Sequence, residues 1–195
     1  REHLLPLVAQ TRPALIPLSF SQERLWLLEQ LYPLGNAYHE VVHYRVAGEL
    51  NQPALVRSIS ALVERHEVLR TRFKAVEGQA VQVIQPAAPY PLEMIDVTHL
   101  PDSDKVAETE RVLHLHSITP FDFSTECLFR VKMIKCDAEE HIILVVMHHM
   151  VTDGWSMRGR MPKELNEFYN AFSVGNPNPL APLDVQYADY AIWQR

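Results

Sequence analysis

Long apolar runs are absent from the sequence: the longest, Ile142 to Met147, has six residues, against the roughly 18 to 20 that a bilayer-spanning helix needs. No membrane span is predicted. Cysteine is nearly absent too, with only Cys127 and Cys136 in 195 residues. They lie either side of what reads as a single strand, which at about 3.3 Å per residue separates them by about 30 Å, beyond the reach of a disulfide. Both are therefore expected as reduced packing thiols. Positive charge is thin: 18 Lys and Arg against 24 Asp and Glu give a net charge of −6. With no basic stripe to neutralise phosphates, a nucleic-acid partner is not expected. No cleavable leader is expected within these residues either, because Pro6 interrupts the short apolar stretch after Arg1 and His3 and no small-residue site follows it. The segment reads as mature, cytoplasmic sequence.

What is there is ordinary globular composition, 47% hydrophobic and 22% charged, in a length that suits one generous domain or two cramped ones. Residues 1–18, punctuated by Pro6, Pro13 and Pro17, read as an extended leader. From Ser19 onward the pattern is that of a folded unit, residues 19–195. Ser19 or Ser21 can cap a helix whose Leu25, Leu28 and Leu31 share a face and which Pro33 ends. Tyr38 to Leu50 alternates as a strand with Val42, Tyr44 and Val46 on one side. Asn51 and Pro53 then open a helix carrying Leu55, Ile59, Leu62 and Val63. "VLRTRF" and "AVQVIQ" read as short strands, and "PDSDKVAETERVLHLHS" as a helix with an acidic start. Leu128 to Lys135 alternates, whereas "HIILVVMHH" is continuously apolar and belongs at the centre of a sheet, covered on both faces. Ser156 to Ser173 reads as a helix that Gly159 and Pro162 should kink or delay. A Pro- and Asn-rich loop and a last helix, "VQYADYAIWQR", complete the chain.

The stretch "MHHMVTDGWS", Met147 to Ser156, concentrates the chemistry. Successive side chains of a strand point to opposite sides, so His148 and His149 cannot both serve one site, and one of them is structural. A histidine at a strand end, before a turn, can take or give a proton near neutral pH. Gly154 offers a backbone N–H that can approach a substrate oxygen closely. Asp153 can orient a histidine, pair with an arginine, or simply form the Asp-Gly turn; His148 fits a satisfied core histidine and Trp155 a packing residue. A metal reading lacks a third ligand, and Ser156 lacks the glycine-flanked elbow of a serine hydrolase.

Together these residues resemble a known family. "HHMVTDGWS" is similar to the HHxxxDG motif of nonribosomal peptide synthetase condensation domains, "SFSQERLWLL" to the family's opening motif, "RHEVLRTRF" (Arg65 to Phe73) to its second and "YADYAIWQR" to its fourth. The resemblance implies an α/β, chloramphenicol acetyltransferase-like two-layer sandwich, one lobe of a two-lobe domain with a tunnel between the lobes, this chain being the N-terminal lobe. It implies amide formation between a donor acyl or peptidyl thioester and an acceptor amine. Both substrates arrive on the 4'-phosphopantetheine arms of carrier domains, and no cofactor is tightly held. Upstream and downstream carrier domains, the C-terminal lobe and an adenylation domain are the implied partners. His149 corresponds to the motif's central histidine, and Gly154 leaves room for the arm. Asp153 corresponds to the aspartate that pairs with an arginine of the second motif, for which Arg70 is the expected partner ahead of Arg65 and Arg72. Pro162 departs from the family pattern; the paired histidines differ from heterocyclisation domains, and "DGW" from epimerisation domains. A fatty-acyl starter domain and a non-catalytic carrier-docking lobe are the alternatives.

Overall fold

The computed structural model describes residues 6–153 and 156–195. A short strand β1 (Ile16–Pro17) leads into helix α1 (Phe20–Leu31), strand β2 (His39–Ala47) and helix α2 (Gln52–Arg65). A 3-10 turn (Glu67–Arg70) then feeds the hairpin β3 (Thr71–Val76) and β4 (Gln79–Ile84), followed by β5 (Glu93–Asp96) and helix α3 (Asp102–Ile118). The hairpin β6 (Phe129–Asp137) and β7 (Glu140–His148) comes next, then a π-helical segment (Ser156–Arg160), α4 (Met161–Ser173) and α5 (Tyr187–Trp193).

Local chemistry sets these boundaries. Ser19 caps α1, its hydroxyl accepting the Gln22 N–H while the Gln22 side chain accepts the Ser19 N–H. Asn51 caps α2 by accepting the Ala54 N–H, with Pro53 inside the first turn. Glu77 and Gly78 both take positive φ, 52° and 81°, as a two-residue turn between β3 and β4 requires. The delay expected from Gly159 and Pro162 takes the form of the π-helical segment: regular α-helix starts at Met161, with Pro162 in its first turn. Residues 16–17 do not merely approach the fold, since Ile16 and Pro17 pair with Gln82 and Val81 of β4 and Leu18 is fully buried.

The main sheet has the order β2-β7-β6-β5, antiparallel except for the β5/β6 pair, and a second sheet has the order β1-β4-β3. β7 lies inside the main sheet and is buried along almost its whole length. Cross-strand register fixes what faces where. Ile142 and Ile134 pack with Val97 and Val112 beneath α3. The alternate residues Val131, Met133, Ile143, Val145 and Met147 join Leu55, Ile59, Leu62, Phe168 and Phe172 of α2 and α4 in the larger core. Burial of a strand on both faces explains its continuous apolar sequence.

Cys136 lies within β6 and Cys127 just before it; both are half-buried free thiols, and burial raises both above the ordinary thiol pKa. No helix of the described residues is long and apolar enough to cross a membrane.

Candidate active site

Strand alternation divides the two histidines. His148, the last residue of β7, pairs in register with His39 and is 2% exposed. Its ring stands edge-on to Phe123, centroids 4.9 Å apart, and 6.1 Å from the His39 ring. Its Nδ1 accepts the Met150 backbone N–H at 3.1 Å, so the neutral ring carries its proton on Nε2. Burial depresses its pKa to about 4, with the neighbouring His39 and His149 adding to the effect. The ring is held neutral and packed away from solvent.

His149 turns the other way, onto the wall of a cavity of about 720 Å³ shared with Leu62 of α2, Met161 of α4, Tyr187 and Tyr190 of α5, and Ser156. Its backbone N–H donates to the Tyr38 carbonyl at 3.0 Å, and the Tyr38 ring meets its imidazole edge-on at 6.3 Å. Its Nε2 lies 2.8 Å from Oε1 of Glu40 on β2. The turn that carries it is tied to α1, because the Gln22 side-chain amide donates to the Met150 carbonyl at 3.0 Å.

Asp153 lies four residues beyond His149. Its carboxylate accepts the Ser156 N–H at 2.7 Å and its carbonyl accepts the Met157 N–H, which holds the entry to the π-helical segment. The Ser156 N–H is also the main reason its pKa sits below the usual carboxylate value. The expected pair with Arg70 is not formed. The Arg70 guanidinium instead donates to the carbonyls of Gln85, at 2.7 Å, and Glu64, locking the 3-10 turn to β4 and α2. Arg65 pairs with Glu164 of α4 at 3.5 Å, and Arg72 lies beside the Cys127 thiol. All three second-motif arginines are engaged elsewhere, and Asp153 uses its charge on backbone. Gly154 and Trp155 lie outside the described residues.

Four residues at the site escaped the sequence reading. Gln22 has a local signal, the Ser-x-x-Gln spacing of a capping box. Glu40, His66 and Glu164 have none: Glu40 reaches the site through cross-strand register, and His66, on the cavity wall, bonds Glu164 at 2.5 Å across 98 residues of sequence. Among the described residues no three or more His, Cys, Asp or Glu side chains converge on a possible metal position.

Comparison with known proteins adds family evidence to this geometry. Residues 14–195 match the family model for the condensation domain. The chain is 40% identical over 190 residues to one of the linear gramicidin synthase subunits of Brevibacillus parabrevis, covering 97% of this chain and 4% of that protein. Among solved structures it is similar to the X-domain in its complex with OxyB from teicoplanin biosynthesis, with 31% identity and a TM-score of 0.86 over 97% of this chain and 40% of that one. It is also similar to the first condensation domain of the calcium-dependent antibiotic synthetase, solved with a substrate analogue. That match has 26% identity and a TM-score of 0.75 over 88% of this chain and 41% of that one.

Proposed function

The chain belongs to the condensation-domain family of nonribosomal peptide synthetases, with the chloramphenicol acetyltransferase-like fold of the N-terminal lobe, and we propose that it supplies the histidine face of an amide-forming site. A donor acyl or peptidyl thioester and an acceptor aminoacyl group meet at His149, each on the phosphopantetheine arm of a carrier domain. The acceptor amine attacks the thioester carbonyl; the C–N bond forms, the C–S bond breaks, and the amine proton passes through His149 to the departing thiolate. A thioester is already activated, so proton transfer of this kind accounts for about 10² to 10⁴-fold, and the remainder comes from holding two arms in one cavity. Asp153 and Ser156 hold the turn, and Gly154, which has no side chain, would leave room for the arm.

The observation that carries this reading is the placement of His149: its ring stands on the cavity wall and no described residue bonds its Nδ1, whereas His148 is packed away. Residues 19–195 with their extended leader form one lobe and require the second lobe to close the tunnel. A neighbouring adenylation domain and a cytoplasmic setting complete the proposal.

A second reading, a docking lobe without chemistry, draws on the X-domain match, whose solved partner is OxyB. Single-turnover amide formation separates the two. Donor- and acceptor-loaded carriers are mixed with this chain joined to a second lobe, and intact-protein mass spectrometry follows the product. Loss of about a hundredfold in His149→Ala supports catalysis by that ring. Equal turnover by the variant leaves His149 a packing residue, and no turnover with retained carrier binding favours docking.

A further inference from the structure

The chain ahead of Ile16 lies against α5 and the 3-10 turn, and two residues hold it there. The Gln10 N–H donates to Oδ1 of Asp189 on α5 at 2.9 Å. The Arg12 guanidinium sits between two carboxylates, 3.0 Å from Oε2 of Glu67 in the 3-10 turn and 3.2 Å from Oδ1 of Asp189. Asp189 is 3% exposed at its side chain, and its other oxygen accepts the Gln186 N–H at 2.7 Å, so the anchor is itself fixed by the cap of α5. Among the described residues no other hydrogen bond or ion pair ties residues 6–15 to the rest of the fold.

This clasp decides where Leu7 goes. Leu7 is three residues from Gln10, about 10 Å of chain at full stretch, and the Gln10 side-chain amide folds back to donate to the Val8 carbonyl at 2.9 Å. Leu7 thereby lines the cavity that holds His149, together with Leu183, Val185 and Tyr190. It is 42% exposed, apolar area that a group inside the cavity can cover. Pairing of Ile16 and Pro17 with β4 is a separate anchor, so opening the clasp frees only the residues ahead of it.

We propose that residues 7–12 are a strap that forms part of the cavity wall, with Leu7 as its apolar contact and Arg12 as the positioning residue that clasps it to Asp189 and Glu67. The strap's place in the wall does not depend on the reaction. Its contact with a ligand rests on the amide-forming reading above, in which Leu7 packs against an apolar acyl chain carried on a phosphopantetheine arm.

Nuclear magnetic resonance of the 195-residue chain tests the strap without any ligand. The Leu7 methyl signals, assigned by their loss in Leu7→Ala, are expected away from unfolded-chain positions in the wild type, and the Gln10 amide is expected to exchange slowly with solvent. Arg12→Ala, and Glu67→Gln more mildly, should move the Leu7 signals toward unfolded-chain positions and speed Gln10 exchange, by about tenfold in Arg12→Ala, while the amides of β7 keep their wild-type rates. If Arg12→Ala loosens β7 as well, Glu67→Gln, which leaves Asp189 and its cap untouched, decides. Leu7 signals already at unfolded-chain positions in the wild type, or Leu7 signals and Gln10 exchange unchanged in both variants, overturn the proposal. For the ligand, octanoyl-pantetheine is titrated by calorimetry into the chain joined to a second lobe. Leu7→Ala should weaken binding about threefold to tenfold, the loss of part of a leucine's buried area. Arg12→Ala should weaken it by a similar factor and the double variant no further, because both changes remove the same contact. No binding to the wild type, effects that multiply, or no loss in Leu7→Ala overturns the contact with ligand. Absence of amide formation from loaded carriers refutes the amide-forming reading, while the ligand-free spectra still decide the strap.

Discussion

The Nδ1 of His148 accepts the backbone N–H of Met150, two residues on, so the ring both closes the turn and lies in the core. Protonating that nitrogen removes an acceptor and puts a charge beside Phe123 and His39. In the unfolded chain the imidazole titrates at its ordinary 6.5, and in the fold at about 4. The depressed value means that the unfolded state binds the proton more tightly, so stability is full above pH 6.5 and falls as the pH drops toward 4. At about 1.4 kcal/mol per unit the loss is about 3 kcal/mol. His39, also lowered by burial, acts in the same direction, whereas the lowered Asp122 and Asp153 carboxylates act below their ordinary 3.8. Denaturant unfolding across pH 4 to 7 should therefore show a steep decline that His148→Gln largely flattens. Equal slopes in both proteins would show that His148 does not govern it.

The separation of Asp153 from Arg70 leads to a prediction of independence. Each residue holds backbone, Asp153 the N–H of Ser156 and Arg70 the carbonyls of Gln85 and Glu64. Asp153→Ala should cost about 1 kcal/mol, as loss of a cap does, and Arg70→Ala a similar amount for its carbonyl contacts. In a double-mutant cycle by chemical denaturation the two should add, with a coupling below about 0.5 kcal/mol. A coupling of 2 kcal/mol or more, the order of a broken buried pair, would mean that the two side chains meet after all.

Most of the fold is legible in the sequence because it is written in local terms. Asn51 and Pro53 announce α2, the alternation of Val42, Tyr44 and Val46 gives β2 its inward face, and the unbroken run through Ile142 to Met147 places β7 inside the sheet. Strand alternation likewise parts His148 from His149. What local pattern cannot supply is which distant side chain stands opposite. The Asp153–Arg70 pairing implied by family resemblance is not formed. Glu40 looks like one more polar residue of an alternating strand until register brings it to His149. The break before α4 is signalled by Gly159 and Pro162, but its π-helical form is not.

Glu164 is a buried charge whose nearer partners are nonlocal. Its carboxylate is largely buried, 2.5 Å from Nε2 of His66 and 3.5 Å from Nε of Arg65, with Arg160 at 3.8 Å on its outer side. This cluster ties the C-terminal end of α2 to the start of α4 beside the cavity. Removing the carboxylate leaves the Arg65 charge buried without a partner, which typically costs about 3 to 5 kcal/mol. Glu164→Ala should lower the denaturation midpoint by that amount with an unchanged denaturant slope. Arg160→Ala, whose side chain is 63% exposed, should cost less than about 1 kcal/mol. Equal effects would show that the outer arginine, not the buried pair, holds the helices together.

Gln22 joins the first motif to the histidine turn. Its side-chain oxygen accepts the Ser19 N–H at 3.0 Å and its side-chain nitrogen donates to the Met150 carbonyl at 3.0 Å, with the residue 1% exposed. Both ends are buried, so truncation leaves a donor and an acceptor without partners, at about 1 to 3 kcal/mol for each group. Gln22→Ala should therefore destabilise the protein by about 2 to 6 kcal/mol. Gln22→Glu should be at least as harmful, because a carboxylate cannot donate and would set a negative charge against the Met150 oxygen. If the tie also fixes the turn, both variants should slow amide formation under conditions where the protein remains folded, since Met150 directly follows His149. Gln22→Ala with reduced stability but wild-type single-turnover rate would confine the residue to capping α1, and the two halves of its hydrogen-bonding role would then be separable.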